Sequence, residues 1–536
     1  MHNTILIILG LLFIVMLLVL LAKKLKIAYP IFLVIAGLGI SFIPGIPRMG
    51  IDPDVIFLIF LPPLLYEAAW YTSWKDFWKW KRPISLLAFG LVFFTSVVVA
   101  YASSALIPGF TLAMGFLLGG IISPPDAVAA ATVMKGLGVP KRAMTILEGE
   151  SLVNDASSLI VFRFALAAIL TGTFSMNVAV GQFFITAVMG LITGLAIVHI
   201  FYAIHRFLPT TPAMDAALTV MTPYVIFLVA EHFHFSGVIG VVAAGLFMSY
   251  RSHEVFQTGD TQLNMMGVWT TLAFVMNALV FVLIGLELPE IIHGLGDASI
   301  AQGIKYGLII SGITIGLRLL WVYPATFLPI LLFRSIRETE VNPGWKGPLV
   351  VGLAGMRGVV SLATALSIPV LMTDGTEFPH RNLIIFITFV VIFVTLVVQG
   401  LTLPLIIKLI KIKDREITKP REEQHAGIRL HLHKAALQHL ESRHAREIKS
   451  NELIRHYRDE LFNDVTKTKQ KLDAFECNDI HRSQITQYTH IMQESIKIQR
   501  QELFKLRKQA IYSDAEIRRM EMQLNLEDVK LSGHEH

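Results

Sequence analysis

The sequence is short of charge and almost without cysteine. One residue of 536, Cys477, is a cysteine, so no intrachain disulfide can form and nothing marks an oxidising compartment. Asp, Glu, Lys and Arg together make up 16% of the chain, against roughly 25% in soluble globular domains. That deficit excludes an ordinary soluble fold. What fills the space is apolar: 54% of residues are hydrophobic and the mean hydropathy is +0.60, the profile of a polytopic membrane protein. A basic leader and a small-residue cleavage site are also lacking before the first apolar window, which opens at residue 4, so a retained helix is expected rather than a signal peptide. The net charge of +6 and pI near 9.2 do not require nucleic acid, because the cations cluster in short loops and in the C-terminal tail.

About thirteen apolar windows are long enough to cross a bilayer: 4–21, 27–44, 51–70, 83–107, 111–136, 143–171, 176–206, 212–230, 234–250, 265–288, 301–333, 346–371 and 381–409. Every second loop is basic, from Lys23, Lys24 and Lys26 through Arg82, Lys141, Arg142, Arg206, Arg251 and Arg337 to Lys408 and Lys411. The loops between them carry little beyond Arg48, Lys305 and Arg381, and one is acidic, with Glu287, Glu290 and Asp297. The excess of Lys and Arg predicts a cytoplasmic C-terminus and an N-terminus outside the cell (inner) membrane, which requires an odd number of spans.

Past residue 410 the composition changes to Lys, Arg, Glu, Gln and His with apolar residues at helical spacing, such as Leu453, Ile454, Tyr457, Leu461 and Val465. Residues 1–411 are therefore expected to form a transmembrane domain and 412–536 a cytoplasmic helical domain, regulatory in role. Ten of the 18 histidines lie in this tail. A pH sensor or metal site would need something bistable attached, so a solvated charged helix is the preferred reading.

Ionisable residues inside membrane spans are costly and demand a partner or a function. They occur at Glu67, Asp126, Glu150, Asp155, Arg318 and Arg357. Asp126 follows Pro124 and Pro125 in "SPPDAVAA", where two prolines should break the helix. Arg357 lies among Gly352, Gly355 and Gly358, which permit a second unwound segment. The interruptions fall in the fifth and twelfth spans, and such a pair points to the binding site of an inverted-repeat transporter. Crossing half-helix ends bring opposite dipoles together, and a carboxylate and a guanidinium there would balance them.

In "EGESLVNDASS", Glu150 and Asn154 share one helix face while Ser151 and Asp155 share the adjacent one. Ser151, Asp155, Asp126 and the carbonyls freed around Pro125 offer the several oxygens that a hard cation such as Na+ wants. Removal from water disfavours the charged form of a carboxylate, so one acid can hold either a proton or a cation. That competition is sufficient for exchange. Glu150 reads as structural, with Arg357 as its expected counter-ion, and Glu148 is expected at the start of the helix, where the dipole favours an anion.

Five stretches, "LPPLLYEAAW", "PPDAVAA", "EGESLVNDASS", "HFSGVIGVVAAGL" and "GLAGMRGVVSLATALSIP", resemble in order and spacing the motifs of the monovalent cation:proton antiporter-1 family, the sodium/proton exchangers. The resemblance covers about residues 5–410. It implies an all-α membrane fold with inverted repeats and two crossing broken helices, a homodimer in the lipid bilayer, and an elevator movement of the core. It also implies that Asp155 carries the cation or proton, that Asp126 and Ser151 complete the site, and that Glu67 lies near it. The Asn154-Asp155 pair implies electroneutral one-for-one exchange, Glu150 and Arg357 match the family's buried salt bridge, and Arg318 matches an accessory basic position. Neither enzymatic activity nor a cofactor is expected, only the transported Na+ (or K+ or Li+) and H+. In this chain Pro124 and Pro125 precede the aspartate, where the family often has proline after it, so the kink is expected to shift by a residue or two. The tail matches no regulatory motif.

A cation channel would use the same carboxylates but would need a continuous pore and a filter, and no filter loop is visible. An intramembrane hydrolase is suggested by Glu231, His232 and His234 in "AEHFHFSG", which lacks the His-Glu-x-x-His spacing that sets two ligands on one helix face.

Overall fold

The computed structural model describes residues 2–43, 53–172, 176–256, 258–295, 300–339, 343–372, 375–412 and 421–476, with shorter pieces between 491 and 524. Within these residues the secondary structure is helical, apart from an isolated bridge between Leu371 and Glu377. The chain divides into two compact units, Met1–Glu416 and Ile417–His536.

The first unit opens with α1 (His2–Leu25), α2 (Tyr29–Ser41) and α3 (Pro53–Tyr71). The short α4 (Trp74–Lys79), capped by Ser73, leads into α5 (Lys81–Leu106), which passes through a π-helical turn at Leu86–Leu91. α6 (Leu112–Ile122) and α7 (Ala127–Met134) are the two halves of one apolar segment, bent by 41°. Next come α8 (Lys141–Thr171), α9 (Met176–Phe207), α10 (Pro212–His232), α11 (Gly237–Val255) and α12 (Gly259–Leu286). α8 stops at Gly172, whose φ of 70° suits a residue without Cβ. The unit closes with α13 (Ile300–Leu332), a second broken pair, α14 (Lys346–Leu353) and α15 (Val359–Leu366), and α16 (Arg381–Ile410).

Seven of these helices, or eight if the α6/α7 pair is one span, are long and apolar enough to cross a membrane. Large apolar side chains stand outward along α1 (Leu9, Phe13, Leu20), α9 (Phe184, Ile185, Ile192) and α13 (Leu308, Leu320, Leu331). In water such surfaces would be unstable, and against lipid tails they are ordinary. The protein is an integral membrane protein.

Both interruptions read from the sequence are present. The first spans Ser123–Asp126 and the second Ala354–Gly358. Apolar packing forms two cores. One gathers α2, α5, α6, α7 and α16 with the C-terminal part of α12; the other gathers α3, α10 and α11 with Trp269 of α12. α8 serves both, giving Ile146, Leu147 and Phe162 to the first and Leu152 and Ala156 to the second. Its polar residues therefore lie at the seam.

In the second unit, α17 (Arg421–Arg443) and α18 (Glu452–Glu476) pack against each other. The amphipathic pattern read from Leu453 to Val465 forms the second of these. His433 Nδ1 lies 3.7 Å from Asp464. Cys477 and the tail histidines 481, 490, 534 and 536 lie outside the described residues.

Candidate functional site

The first break is organised by Asp126. Two prolines deny the chain backbone donors, and the carboxylate that follows takes the N-cap of α7, its Oδ1 accepting from Val128 N (2.8 Å) and Ala129 N (3.2 Å). An anion at a helix N-terminus is favoured by the dipole. Ser151 Oγ of α8 accepts from Ala127 N (3.3 Å), so the hydroxyl and the carboxylate satisfy the same first turn. The two breaks touch through the backbone: Asp126 N–H donates to Met356 O at 2.7 Å.

The second break exposes carbonyls, and side chains close on them. Arg318 Nε donates to Val351 O (3.2 Å), Gln399 Nε2 donates to Leu353 O, and Arg357 Nη1 donates to Gly355 O (3.1 Å). The backbone N–H of Arg357 donates to Thr395 Oγ1 of α16 at 3.1 Å. Two glycines here permit contacts that no other residue would. A Cβ on Gly358 would run into the Asp126 carboxylate, and one on Gly355 would run into the Arg318 stem.

Where these pieces meet α3 and α8, a cavity of about 390 Å³ opens. Its lining includes Glu67, Pro125, Asp126, Glu148, Ser151 and Asp155, with Asn277 of α12 and the start of α15 at Val359–Ser361. Five of the expected site residues are thus brought together: Asp155, Asp126, Ser151, Pro125 and Glu67. Asp155 and Asp126 are near enough to sense each other's charge. The cavity offers carboxylate and hydroxyl oxygens, the donor set of a hard cation.

Asn154 is not on that wall. It is fully buried, and neither Oδ1 nor Nδ2 has a hydrogen-bond partner among the described residues. A direct contact between its amide and an ion in the cavity finds no support in this placement.

The salt bridge expected between Glu150 and Arg357 is not formed. Glu150 pairs with Arg318, whose fork meets both carboxylate oxygens (Nη1–Oε1 2.5 Å, Nη2–Oε2 2.7 Å), with side chains 1% and 2% exposed. The reason is directional. Glu150 lies one residue round from Ser151, so it faces away from the cavity toward α13, and the guanidinium of Arg357 turns to its own break. Arg357 still feels the charges of both Glu150 and Arg318. Arg318, expected to be accessory, is the principal counter-ion.

Glu148 also departs from expectation. α8 begins at Lys141, so Glu148 is two turns inside the helix and opens into the cavity instead of capping the start. The signal was present, since Glu148, Ser151 and Asp155 follow the i, i+3, i+7 spacing of one helix face. Asn277 was missed as well, although it is a lone amide in an apolar run. Glu231 is structural: it pairs with Arg163 (2.6 Å) and accepts from Gly237 N (3.2 Å), so the hydrolase reading has nothing to stand on.

Two broken helices touching inside a helical membrane unit, with carboxylates where they meet, are the arrangement found at the binding sites of inverted-repeat transporters. The chain belongs to the sodium/hydrogen exchanger family, whose transmembrane model matches residues 10–409. It is 35% identical over 398 residues to a sodium, potassium, lithium and rubidium/H+ antiporter of Bacillus pumilus, covering 72% of this chain but 59% of the relative. The chain thus spans less than two thirds of that relative's length. An uncharacterised Na+/H+ exchanger of Mycobacterium tuberculosis (strain H37Rv) is 30% identical over 522 residues, 95% of this chain and 93% of the relative. In fold, the chain is similar to the sodium proton antiporter MjNhaP1 of Methanocaldococcus jannaschii, with a TM-score of 0.58 at 18% identity over 74% of this chain and 99% of that one.

Proposed function

We propose that the protein exchanges a monovalent cation, Na+ first, for H+ across the cell membrane, with Asp155 holding either species in turn. The observation that carries this reading is the convergence of Asp155, Asp126 and Ser151 on one cavity at the crossed breaks. Asp126 already spends one oxygen on the start of α7. Asp155 sits free of such a duty, at the seam between two apolar cores. A carboxylate in that position binds a proton or a cation but not both, and exchange follows from the competition.

The finer assignments complete the proposal. About thirteen spans place the N-terminus outside and the C-terminus in the cytoplasm, where residues 412–536 act as a regulatory domain. The movement is of the elevator type, in a homodimer whose task is pH homeostasis. Asn154 in place of a second acid leaves one titrating group at the pair, which favours one-for-one, electroneutral exchange. K+/H+ exchange by the same mechanism is the second reading, favoured by the breadth of ions in the name of the Bacillus pumilus relative.

The test is dye-reported proton flux in proteoliposomes on addition of Na+, Li+ or K+, with and without a clamped potential. Flux is expected with Na+, unaffected by the potential, and absent in Asp155→Asn. Robust exchange by that variant, or current that reverses with the cation gradient alone, would overturn the mechanism.

A further inference from the structure

A second cavity, about 600 Å³, lies apart from the ion site, at the end of the bundle that carries the basic loops. Three helices begin there, α5, α8 and α14, and α16 ends there. Four cations line it, Arg82, Arg142, Lys346 and Lys411, and among the described residues no carboxylate does. The remaining wall is apolar, with Leu87, Ile146, Val322, Val351 and Ile412.

The backbone field at this cavity has the same sign as the side chains. α8 starts on Pro140 and α14 on Trp345, and neither first turn is capped by a side chain. Both present the positive end of a helix dipole. The one negative helix end, at α16, is already answered, since Lys346 Nζ donates to Ile410 O at 2.7 Å. Charge, dipoles and apolar lining together describe a receptor for an anion that carries a hydrophobic body.

We propose that this cavity binds the headgroup of an anionic phospholipid, its phosphate among Arg82, Arg142 and Lys411 and its glycerol and upper acyl segments against Leu87, Val322 and Ile412. A soluble anion would satisfy the cations and leave the apolar wall wet, whereas a lipid covers both. The location fits, because the ends of membrane spans are where headgroups lie and where clustered Lys and Arg attract anionic lipids. The ligand would also sit close to the buried ion pair. Ile146 is one turn before Glu150 on α8, Val322 is one turn after Arg318 on α13, and Val351 O receives Arg318 Nε. An occupant thereby braces the turns that hold Glu150 and Arg318 together.

The experiment is native mass spectrometry of the full-length protein released from detergent, titrated with phosphatidylglycerol and, separately, phosphatidylcholine, with inorganic phosphate as competitor. Phosphatidylglycerol is expected to stay bound where phosphatidylcholine does not, and to resist millimolar phosphate. Lys411→Gln and Arg142→Gln should each weaken its retention about fivefold, while Lys24→Gln, a cation on α1 outside the cavity, should leave it unchanged. Arg142 stacks on Trp80 at 4.1 Å, so if its variant folds poorly the exposed Lys411 provides the reading. Equal retention of the two lipids, an unchanged Lys411→Gln, an equal loss in Lys24→Gln, or displacement by inorganic phosphate would each overturn the proposal.

Discussion

The pairing of Glu150 with Arg318 can be tested quantitatively. The contact is bidentate at 2.5 and 2.7 Å, both side chains are almost fully buried, and Arg318 also holds Val351 O at the end of α14. Arg318→Met keeps the bulk of the stem that passes Gly355 and removes the charge. It strands a buried carboxylate and leaves a carbonyl unanswered, and breaking such a pair costs about 3–5 kcal/mol. Arg357→Met removes one bond, to Gly355 O, plus a more distant charge, and should cost roughly half as much or less. Replacing both partners, in Glu150→Met with Arg318→Met, removes the charges together and should recover most of the loss. The assay is denaturation in mixed micelles with increasing dodecyl sulfate, followed by far-UV circular dichroism, with monodisperse yield as a second readout. If Arg357→Met proves as damaging as Arg318→Met, and Glu150→Met rescues the former and not the latter, the pairing described here is wrong.

Two further outcomes follow from particular contacts. In Gly358→Ala the new Cβ meets the Asp126 carboxylate, which must leave the start of α7; the cap lost is worth about 1 kcal/mol, so the protein should still fold while exchange falls at least about tenfold, and full exchange at normal yield would refute the contact. Asp76 concerns the short α4 rather than a span: burial alone would raise its carboxyl, but the hydrogen bond from Lys141 at 2.7 Å and that residue's charge outweigh this and hold it below the ordinary value. A lowered folded value means stability that is present above the unfolded carboxylate range, near 3.9, and lost as pH falls through the folded value. Lys141 is 69% exposed, so solvent screens the pair, and Asp76→Asn should cost at most about 1 kcal/mol at pH 7. That gap should close on acidification, and a melting-temperature difference that widens below pH 4 would contradict the sign.

Much of the candidate site was legible along the chain because its signals are costs that only a membrane imposes. A carboxylate in an apolar span, such as Asp155, or two prolines followed by one, at Asp126, has no bland explanation in hydrocarbon. The helix period then placed Ser151 with Asp155 and kept Glu150 off that face, as the structure has it. Glu148 belongs to that face as well, two turns inside α8 and on the cavity wall.

By itself, then, the sequence determined that the chain enters a membrane, where its helices break, and which side chains share a face. These are local matters, set by apolar length, by proline and glycine, and by a period of 3.6 residues. Which charges pair was decided only in three dimensions. Glu150 has two arginines within electrostatic reach, and sequence distance from it does not separate them. The choice falls to Arg318 because its planar fork reaches from α13 to bonding distance of both Glu150 oxygens, while the backbone of Arg357 is held by Thr395 in a break whose own carbonyl takes its guanidinium. The basic cavity has the same origin. Its four cations come from four segments of the sequence, and only the packing of α5, α8, α14 and α16 turns scattered loop charges into one site.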